Sequence, residues 1–159
     1  MTMQTLTRTQ MLPASPDELF AFFETPENLA RITPPWLGFR ILTPSPIAMR
    51  EGALIDYTVR WLGLRVRWTT LITDYSPPVR FVDQQIRGPY SFWHHTHEFE
   101  EVSGGTRMCD TVRYVLPAGP VGTLLHTLLV RRQLEEIFDY RTRIIGELFA
   151  QTAGRTVAS

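Results

Sequence analysis

Six consecutive strand-like segments followed by one long helical segment constrain the fold of this chain most strongly. The strand patterns lie between Phe39 and Leu116, and only short turns rich in glycine, proline and serine separate them. Strands joined by short turns pair as antiparallel neighbours, so this region predicts one antiparallel sheet. The closing segment, Val121 to Ala150, keeps a helical period throughout. The predicted strands are 39–43, 53–61, 64–75, 80–87, 90–101 and 106–116.

The N-terminal residues predict one more strand and two short helices. Met3 to Leu12 has a strand pattern, and Ser15 followed by proline and two acids is typical of a helix start. A second short helix is expected from Glu27 to Ile32. The whole predicts an α+β domain over residues 1–159, with a curved sheet of about seven strands around a long C-terminal helix. A sheet curved in this way leaves room for a cavity beneath the helix.

Charge and cysteine content exclude several classes of function. The chain has 16 basic and 16 acidic residues, so no bulk field favours nucleic acid or an anionic membrane surface. A single cysteine, Cys109, rules out an internal disulfide and a cysteine-cluster metal site. No run approaches the ~18 apolar residues of a membrane helix. We expect a cytoplasmic protein without nucleic-acid partners or membrane insertion, monomeric or weakly dimeric through an exposed edge strand.

The segment 90–101 carries the most informative polar residues. Side chains alternate between the two faces of a strand, so one face carries Trp93, His95, His97 and Phe99. The aromatic members mark this face as interior. Two imidazoles buried there cost free energy unless polar partners surround them. The segment therefore predicts a polar site inside the fold.

The turn at Ser103-Gly104 predicts the register of the last two strands. If Glu101 pairs with Thr106, then His97 lies directly opposite Asp110, at ~4.5–5.5 Å between Cβ atoms. That carboxylate could hydrogen-bond the imidazole, fix its tautomer and raise its basicity. The same register pairs Phe99 with Met108, His95 with Val112, and Trp93 with Tyr114.

Two further elements are expected to contribute polar groups to the same place. On the preceding strand Phe81, Asp83 and Gln85 share one face, and Asp83 lies near His95 if the Gly88-Pro89 turn keeps the pleat in phase. On the closing helix Arg141 lies within an apolar stripe, where a guanidinium needs a carboxylate or a ligand anion. Asp83, Asp110 and Glu24 are the candidate carboxylates. The apolar helix positions include Leu124, Leu128, Leu134, Ile137, Phe138, Ile144, Ile145 and Leu148.

Four motifs carry a family resemblance. They are Ser15-Pro16-Asp17-Glu18-Leu19-Phe20, Phe81-x-Asp83-x-Gln85-x-x-Gly88-Pro89-Tyr90, Trp93-x-His95-x-His97-x-Phe99 and Gly105-Thr106-x-Met108-x-Asp110. With these motifs and this element order the chain resembles the START-like, or SRPBCC, superfamily of helix-grip proteins, which includes polyketide cyclases and lipid-transfer domains, and within it a bacterial ligand-binding branch. The resemblance implies a hydrophobic pocket between the sheet and the C-terminal helix, without implying one reaction.

The leading hypothesis is a binding domain for a small hydrophobic molecule that is lipid-, polyketide- or isoprenoid-like. The polar set would then be an internal network that shapes the pocket, or it would contact a carboxylate, hydroxyl or carbonyl of the ligand. The expected pocket residues are Tyr57, Trp68, Asp83, Gln85, Trp93, His95, His97, Phe99, Asp110, Phe138 and Arg141.

The alternative is a cyclase or dehydratase in which His97, oriented by Asp110, is the acid–base group. A metal is a further possibility, since His-x-His places two imidazoles on one strand face and Asp110 offers a third ligand. No second cluster of histidine or cysteine completes such a site in the sequence. We therefore expect neither a metal nor a cofactor.

Overall fold

A seven-stranded antiparallel sheet and one long helix form the framework of the protein. The computed structural model describes residues 2–117 and 120–156. The strand order is β1-β7-β6-β5-β4-β3-β2, and every neighbouring pair is antiparallel. The strands are β1 Gln4–Leu12, β2 Arg40–Ile41, β3 Leu54–Trp61, β4 Leu64–Ser76, β5 Arg80–Arg87, β6 Phe92–Val102 and β7 Gly105–Val115; the helices are α1 Pro16–Phe23 and α2 Pro120–Thr156.

Helix α1 begins where the sequence predicts it. The backbone N–H of Ser15 donates to the Glu18 carboxylate, and the N–H of Glu18 donates to the Ser15 hydroxyl. This reciprocal capping box satisfies two N–H groups that the helix itself leaves unpaired. The second predicted helix is a 3-10 helix at Pro26–Arg31, and another 3-10 turn covers Pro35–Leu37.

The predicted sheet is confirmed, with small differences at the strand ends. β2 contains only Arg40–Ile41 of the expected 39–43, and β6 begins at Phe92, so Tyr90 lies before the strand. The register of β6 against β7 agrees with the prediction at every pair, from Trp93–Tyr114 to Glu101–Thr106. Two register shifts interrupt the β4–β5 pairing. Irregularities of this kind bend a sheet, which suits one that wraps around a helix.

Helix α2 lies across the concave face of the sheet. Its buried residues follow one another at intervals of three or four, as expected for one helix face. Gln10 on β1 donates to the Thr142 carbonyl, and Arg8 pairs with Asp139, so β1 also holds the helix. Two positions of the predicted stripe, Leu124 and Leu128, are instead mostly exposed. Among the helix side chains that the structure describes, the buried ones are Val130, Leu134, Phe138, Arg141 and Ile145. No helix among the described residues is long and apolar enough to cross a membrane.

The tight turn between β6 and β7 depends on a glycine that a larger residue cannot replace. Gly105 has φ +152°, and a Cβ atom there would lie 2.0 Å from the Leu12 carbonyl oxygen. Its neighbour Gly104 also has a positive φ, +86°, but has open space around the Cβ position.

We expect Gly105→Ala to lower the free energy of unfolding by about 3 kcal/mol, because backbone strain and a steric clash act together. Gly104→Ala is the matched control and should cost only the conformational strain, about 1–2 kcal/mol. Urea unfolding of the two variants measures the difference. Equal losses would show that the close approach to Leu12 is unimportant.

Candidate functional site

A cavity of about 190 Å³ lies between the sheet and α2. Most of its wall is apolar. Asp83, His95, His97 and Arg141 form its polar end, and Arg60 is a further charged residue in the lining. Its aromatic wall residues are Phe22, Phe23, Phe39, Tyr57, Trp61, Trp68, Phe81, Tyr90, Trp93 and Phe138.

Eight of the eleven residues expected in the pocket line this cavity. They are Tyr57, Trp68, Asp83, Trp93, His95, His97, Phe138 and Arg141. The other three lie close by. The Gln85 side chain bonds the backbone N–H and C=O of Tyr90, and Phe99 packs in the core against Phe20 and Phe23. Asp110 lies behind the two imidazoles, next to their other ring nitrogens.

The two imidazoles share Asp83 on the cavity side. Oδ2 of Asp83 lies 2.8 Å from Nε2 of His97 and 3.4 Å from Nδ1 of His95. The strand register explains this, because Asp83 on β5 is directly opposite His95 on β6, as predicted. The imidazole rings lie 3.8 Å apart between centroids. The three side chains therefore form one compact group.

Asp110 contacts both imidazoles from the opposite side. Its Oδ1 is 3.1 Å from Nε2 of His95 and 2.8 Å from Nδ1 of His97. The predicted partnership of His97 with Asp110 is thus a close contact, but its alignment is poor for a hydrogen bond. The aligned hydrogen bonds join His95 to Asp110 and His97 to Asp83. Each carboxylate holds both rings.

The surroundings shift the pKa values of the two histidines in opposite directions. Burial works to lower the pKa of His97, but Asp110 and Asp83 outweigh it and raise that pKa above its ordinary value. Burial, reinforced by the neighbouring His97, lowers the pKa of His95. A proton shared by the pair therefore prefers His97.

Both carboxylates are held ionised despite burial. Burial would raise the pKa of Asp110, but Arg141 and then His97 hold it well below its usual range. Burial likewise opposes ionisation of Asp83, and His95 and His97 overcome it, so the pKa of Asp83 is lowered. Two carboxylates and one guanidinium leave one negative charge, which a proton on His97 balances.

Arg141 reaches the same end of the cavity from α2. Its residue exposure is 9%, and its guanidinium lies over the rings of Phe23 and Phe138 at 5.5 and 5.8 Å from their centroids. Its Nε is 3.8 Å from Oδ2 of Asp110, too far for a hydrogen bond. Among the described residues nothing accepts a hydrogen bond from this Nε. Glu24, the other carboxylate considered for it, accepts from the Tyr75 hydroxyl instead.

Four of the cavity residues that were not predicted from the sequence contact predicted ones directly. Phe81 stacks on His97 at 4.1 Å, Phe23 underlies Arg141, and Tyr90 packs edge to face on Trp68. Buried Thr70 accepts from Nε1 of Trp68 and lies 3.3 Å from the Tyr57 hydroxyl. Strand alternation could have identified Phe81, because it lies on the same face of β5 as Asp83. Phe23 is the last residue of α1, and no comparable pattern marks it as a cavity residue.

Solved structures with the same fold are found at low sequence identity. TTHA0849 from Thermus thermophilus is 17% identical with a TM-score of 0.74, over 94% of this chain and 99% of that one. Ms6760 from Mycobacterium smegmatis is 20% identical with a TM-score of 0.66, over 93% of this chain and 92% of that one. The di-domain ARO/CYC StfQ of the steffimycin biosynthetic pathway is 12% identical with a TM-score of 0.75, over 96% of this chain and 52% of that one. No curated protein matches the sequence.

A family model gives the more specific assignment. The model described as polyketide cyclase / dehydrase and lipid transport matches residues 12–139. That range contains α1, strands β2 to β7 and the part of α2 that precedes Arg141. Together with the helix-grip architecture, this match shows that the chain belongs to the polyketide cyclase / dehydrase and lipid transport family of the START-like superfamily.

Proposed function

We propose that the protein binds a small, mostly apolar molecule in the cavity between the sheet and α2. The molecule is lipid-, polyketide- or isoprenoid-like, and its polar group lies against Arg141 and the two cavity-facing imidazoles. The observation that carries this proposal is an aromatic-walled cavity with a buried guanidinium nitrogen at one end that has no hydrogen-bond acceptor in the described chain.

The guanidinium is the strongest argument for a polar group on the ligand. A buried donor without an acceptor costs about 1–3 kcal/mol, and more when the group is charged. The contacts with Phe23 and Phe138 offset only part of the lost hydration. An oxygen of a carboxylate or a polarised carbonyl would supply the missing acceptor. A ligand with an oxygen at one end and an apolar body fits this cavity.

The walls argue for the apolar body. Trp68 packs edge to face on Trp93 and stacks with Tyr57, so these rings form a continuous aromatic part of the wall. Burying apolar area against such surfaces gives about 25 cal/mol per Å². The Tyr57 hydroxyl lies beside Thr70, and burial raises its pKa, so it stays a neutral group.

The comparisons support the proposal at the level of ligand class. The family description names polyketide cyclases, dehydrases and lipid transport, and all three activities handle largely apolar molecules. StfQ, which shares the fold, is named as an ARO/CYC of a biosynthetic pathway.

A thermal-unfolding screen tests the proposal with one probe for each ligand class. We expect at least one of decanoate, β-naphthoate and farnesol to raise the melting temperature in a concentration-dependent way, since binding to the native state alone stabilises it. The screen is run in EDTA, so bound metal plays no part. No shift with any of the three, at concentrations up to their solubility, would contradict the proposal.

Acid–base catalysis is a second candidate, favoured by the position of the imidazoles. Both line the cavity, and each lies between two carboxylates, an arrangement that suits proton abstraction beside a carbonyl in a cyclisation or dehydration. Arg141 would then polarise the carbonyl oxygen.

For a poly-β-ketone that the protein turns over, we expect His97→Ala to lower the rate ~100-fold or more. His94→Ala is the matched control, because this neighbour on β6 points to the other face of the sheet. Single-turnover product analysis measures the rates. An unchanged rate in the His97 variant would exclude catalysis by this residue.

A further inference from the structure

We propose that Asp83, His95 and His97 form a binding site for a divalent first-row transition metal of the zinc type. This inference concerns the same end of the cavity but does not depend on the proposed hydrophobic ligand. Its basis is the way in which three potential metal ligands face one another, with a fourth group placed behind them.

The three ligand atoms have the spacing that a metal requires. One ligand atom from each of Asp83, His95 and His97 lies within 4.8 Å of the other two. Metal–ligand bonds of about 2.0–2.2 Å in a tetrahedral site place ligand atoms about 3.3 Å apart. The observed distances from Asp83 to the two nitrogens, 3.4 and 2.8 Å, are close to that value. An ion bound here would replace the hydrogen bond between Asp83 and His97.

Asp110 completes the arrangement from behind. A metal-bound histidine usually donates its other ring N–H to a carboxylate, which fixes the tautomer and the ring orientation. Here the ring nitrogens turned away from Asp83 both face one oxygen of Asp110, at 3.1 Å for His95 and 2.8 Å for His97. With protons on those nitrogens, the nitrogens facing Asp83 present lone pairs. In the present geometry Asp110 accepts an aligned hydrogen bond from His95, and the His97 ring would have to rotate to donate to it as well.

Charge and access are compatible with an ion. In the metal-free protein, a proton must lie between Asp83 and an imidazole, and a cation would take its place. Asp110 is paired with Arg141, so the guanidinium charge is already opposed by a carboxylate. A divalent ion leaves one net positive charge on the group, which favours an oxygen anion as the next ligand. All three protein ligands line the cavity, so an ion bound by them would be accessible from it.

The ligand set indicates the metal class. Two imidazoles and one carboxylate suit zinc, cobalt or iron rather than calcium or magnesium, which prefer oxygen ligands. The sequence alone favours no metal and offers Asp110 only as a possible third ligand. In the structure Asp83 lies on the cavity side of both rings, and Asp110 lies behind them.

The test is titration of EDTA-treated, dialysed full-length protein with Zn²⁺ and, for spectroscopy, Co²⁺. We expect one ion per chain by calorimetry and a visible Co²⁺ absorption band. We also expect ring-nitrogen NMR shifts at His95 and His97 but not at His94. Because the NMR readout uses the unmodified protein, it does not depend on whether a variant folds.

Variants then locate the site. Asp83→Asn and His95→Gln should weaken Zn²⁺ binding at least 100-fold, and Asp110→Asn should weaken it 10–100-fold. His94→Gln should leave it unchanged. The proposal is overturned if the wild-type protein takes up no ion, or if the bound ion shifts the ring nitrogens of other histidines. These titrations contain no hydrophobic probe, so their failure would leave the proposed ligand binding intact.

Discussion

Replacing Asp110 with asparagine is expected to lower the free energy of unfolding by about 3–5 kcal/mol, the largest loss for a polar substitution in this protein. The carboxylate is buried, and it contacts His95, His97 and Arg141 at once. Asparagine fills nearly the same volume but removes the negative charge. Arg141 and the imidazoles would then be buried beside a neutral amide, and urea unfolding measures the cost.

The stability difference between wild type and Asp110→Asn should decrease as the pH falls. The folded-state pKa of Asp110 is well below the ~3.9 of an unfolded aspartate, so its stabilisation is fully present above about pH 4 and is lost as the pH falls further. With EDTA present, the gap between wild type and Asp110→Asn should therefore narrow in acid. Asp139→Asn is the control, since this exposed partner of Arg8 should cost less than about 1 kcal/mol. A similar loss for both variants would contradict the central position of Asp110.

Arg141→Met should weaken the binding of β-naphthoate about 10–100-fold, which corresponds to a hydrogen bond with a charged group. Methionine keeps an apolar stem between Phe23 and Phe138 but has no donor. The neutral methyl ester of the same acid has no carboxylate for Arg141 to bind. Its affinity should therefore change less than about 3-fold in the variant. Quenching of the fluorescence of Trp68 and Trp93, which line the cavity, reports both affinities.

Arg132→Met controls for the charge of the helix. Arg132 lies on α2, is exposed and paired with Glu136, and does not line the cavity. It should leave both affinities unchanged. If Arg141→Met weakens the ester as much as the acid, Arg141 shapes the cavity and does not contact the ligand's carboxylate.

The strand pairing was predictable because it depends on local signals. The Ser103-Gly104 turn and strict alternation determine which Cα atoms oppose each other, and all predicted β6–β7 pairs are confirmed. The proximity of Asp83 to His95 followed from the same period on β5. Arg141 was recognisable because a cation on an apolar stripe needs a partner.

Side-chain geometry was beyond the reach of sequence patterns. Register brings His97 opposite Asp110, but ring rotation decides that its aligned hydrogen bond goes to Asp83. The apolar spacing at Leu124 and Leu128 fits the helix stripe, yet both side chains are mostly exposed. Phe23 on α1 contacts Arg141 on α2, and these helices are far apart in the chain. The residue pattern within a single helix or strand cannot predict such a contact.

The metal and the acid–base candidates make opposite demands on the imidazoles. A nitrogen that holds an ion has no lone pair left to accept a proton, so one histidine cannot do both at the same moment. Zinc addition should therefore suppress any turnover that depends on a free His97. Ligand binding through Arg141 is compatible with either state of the pair.

A crystal structure of the protein with β-naphthoate tests the central claim most directly. We expect the ring system between Trp68, Trp93 and Phe138, with a carboxylate oxygen within hydrogen-bonding distance of the Arg141 guanidinium. A molecule bound outside the cavity, or one whose carboxylate points to solvent with Arg141 unengaged, would contradict it.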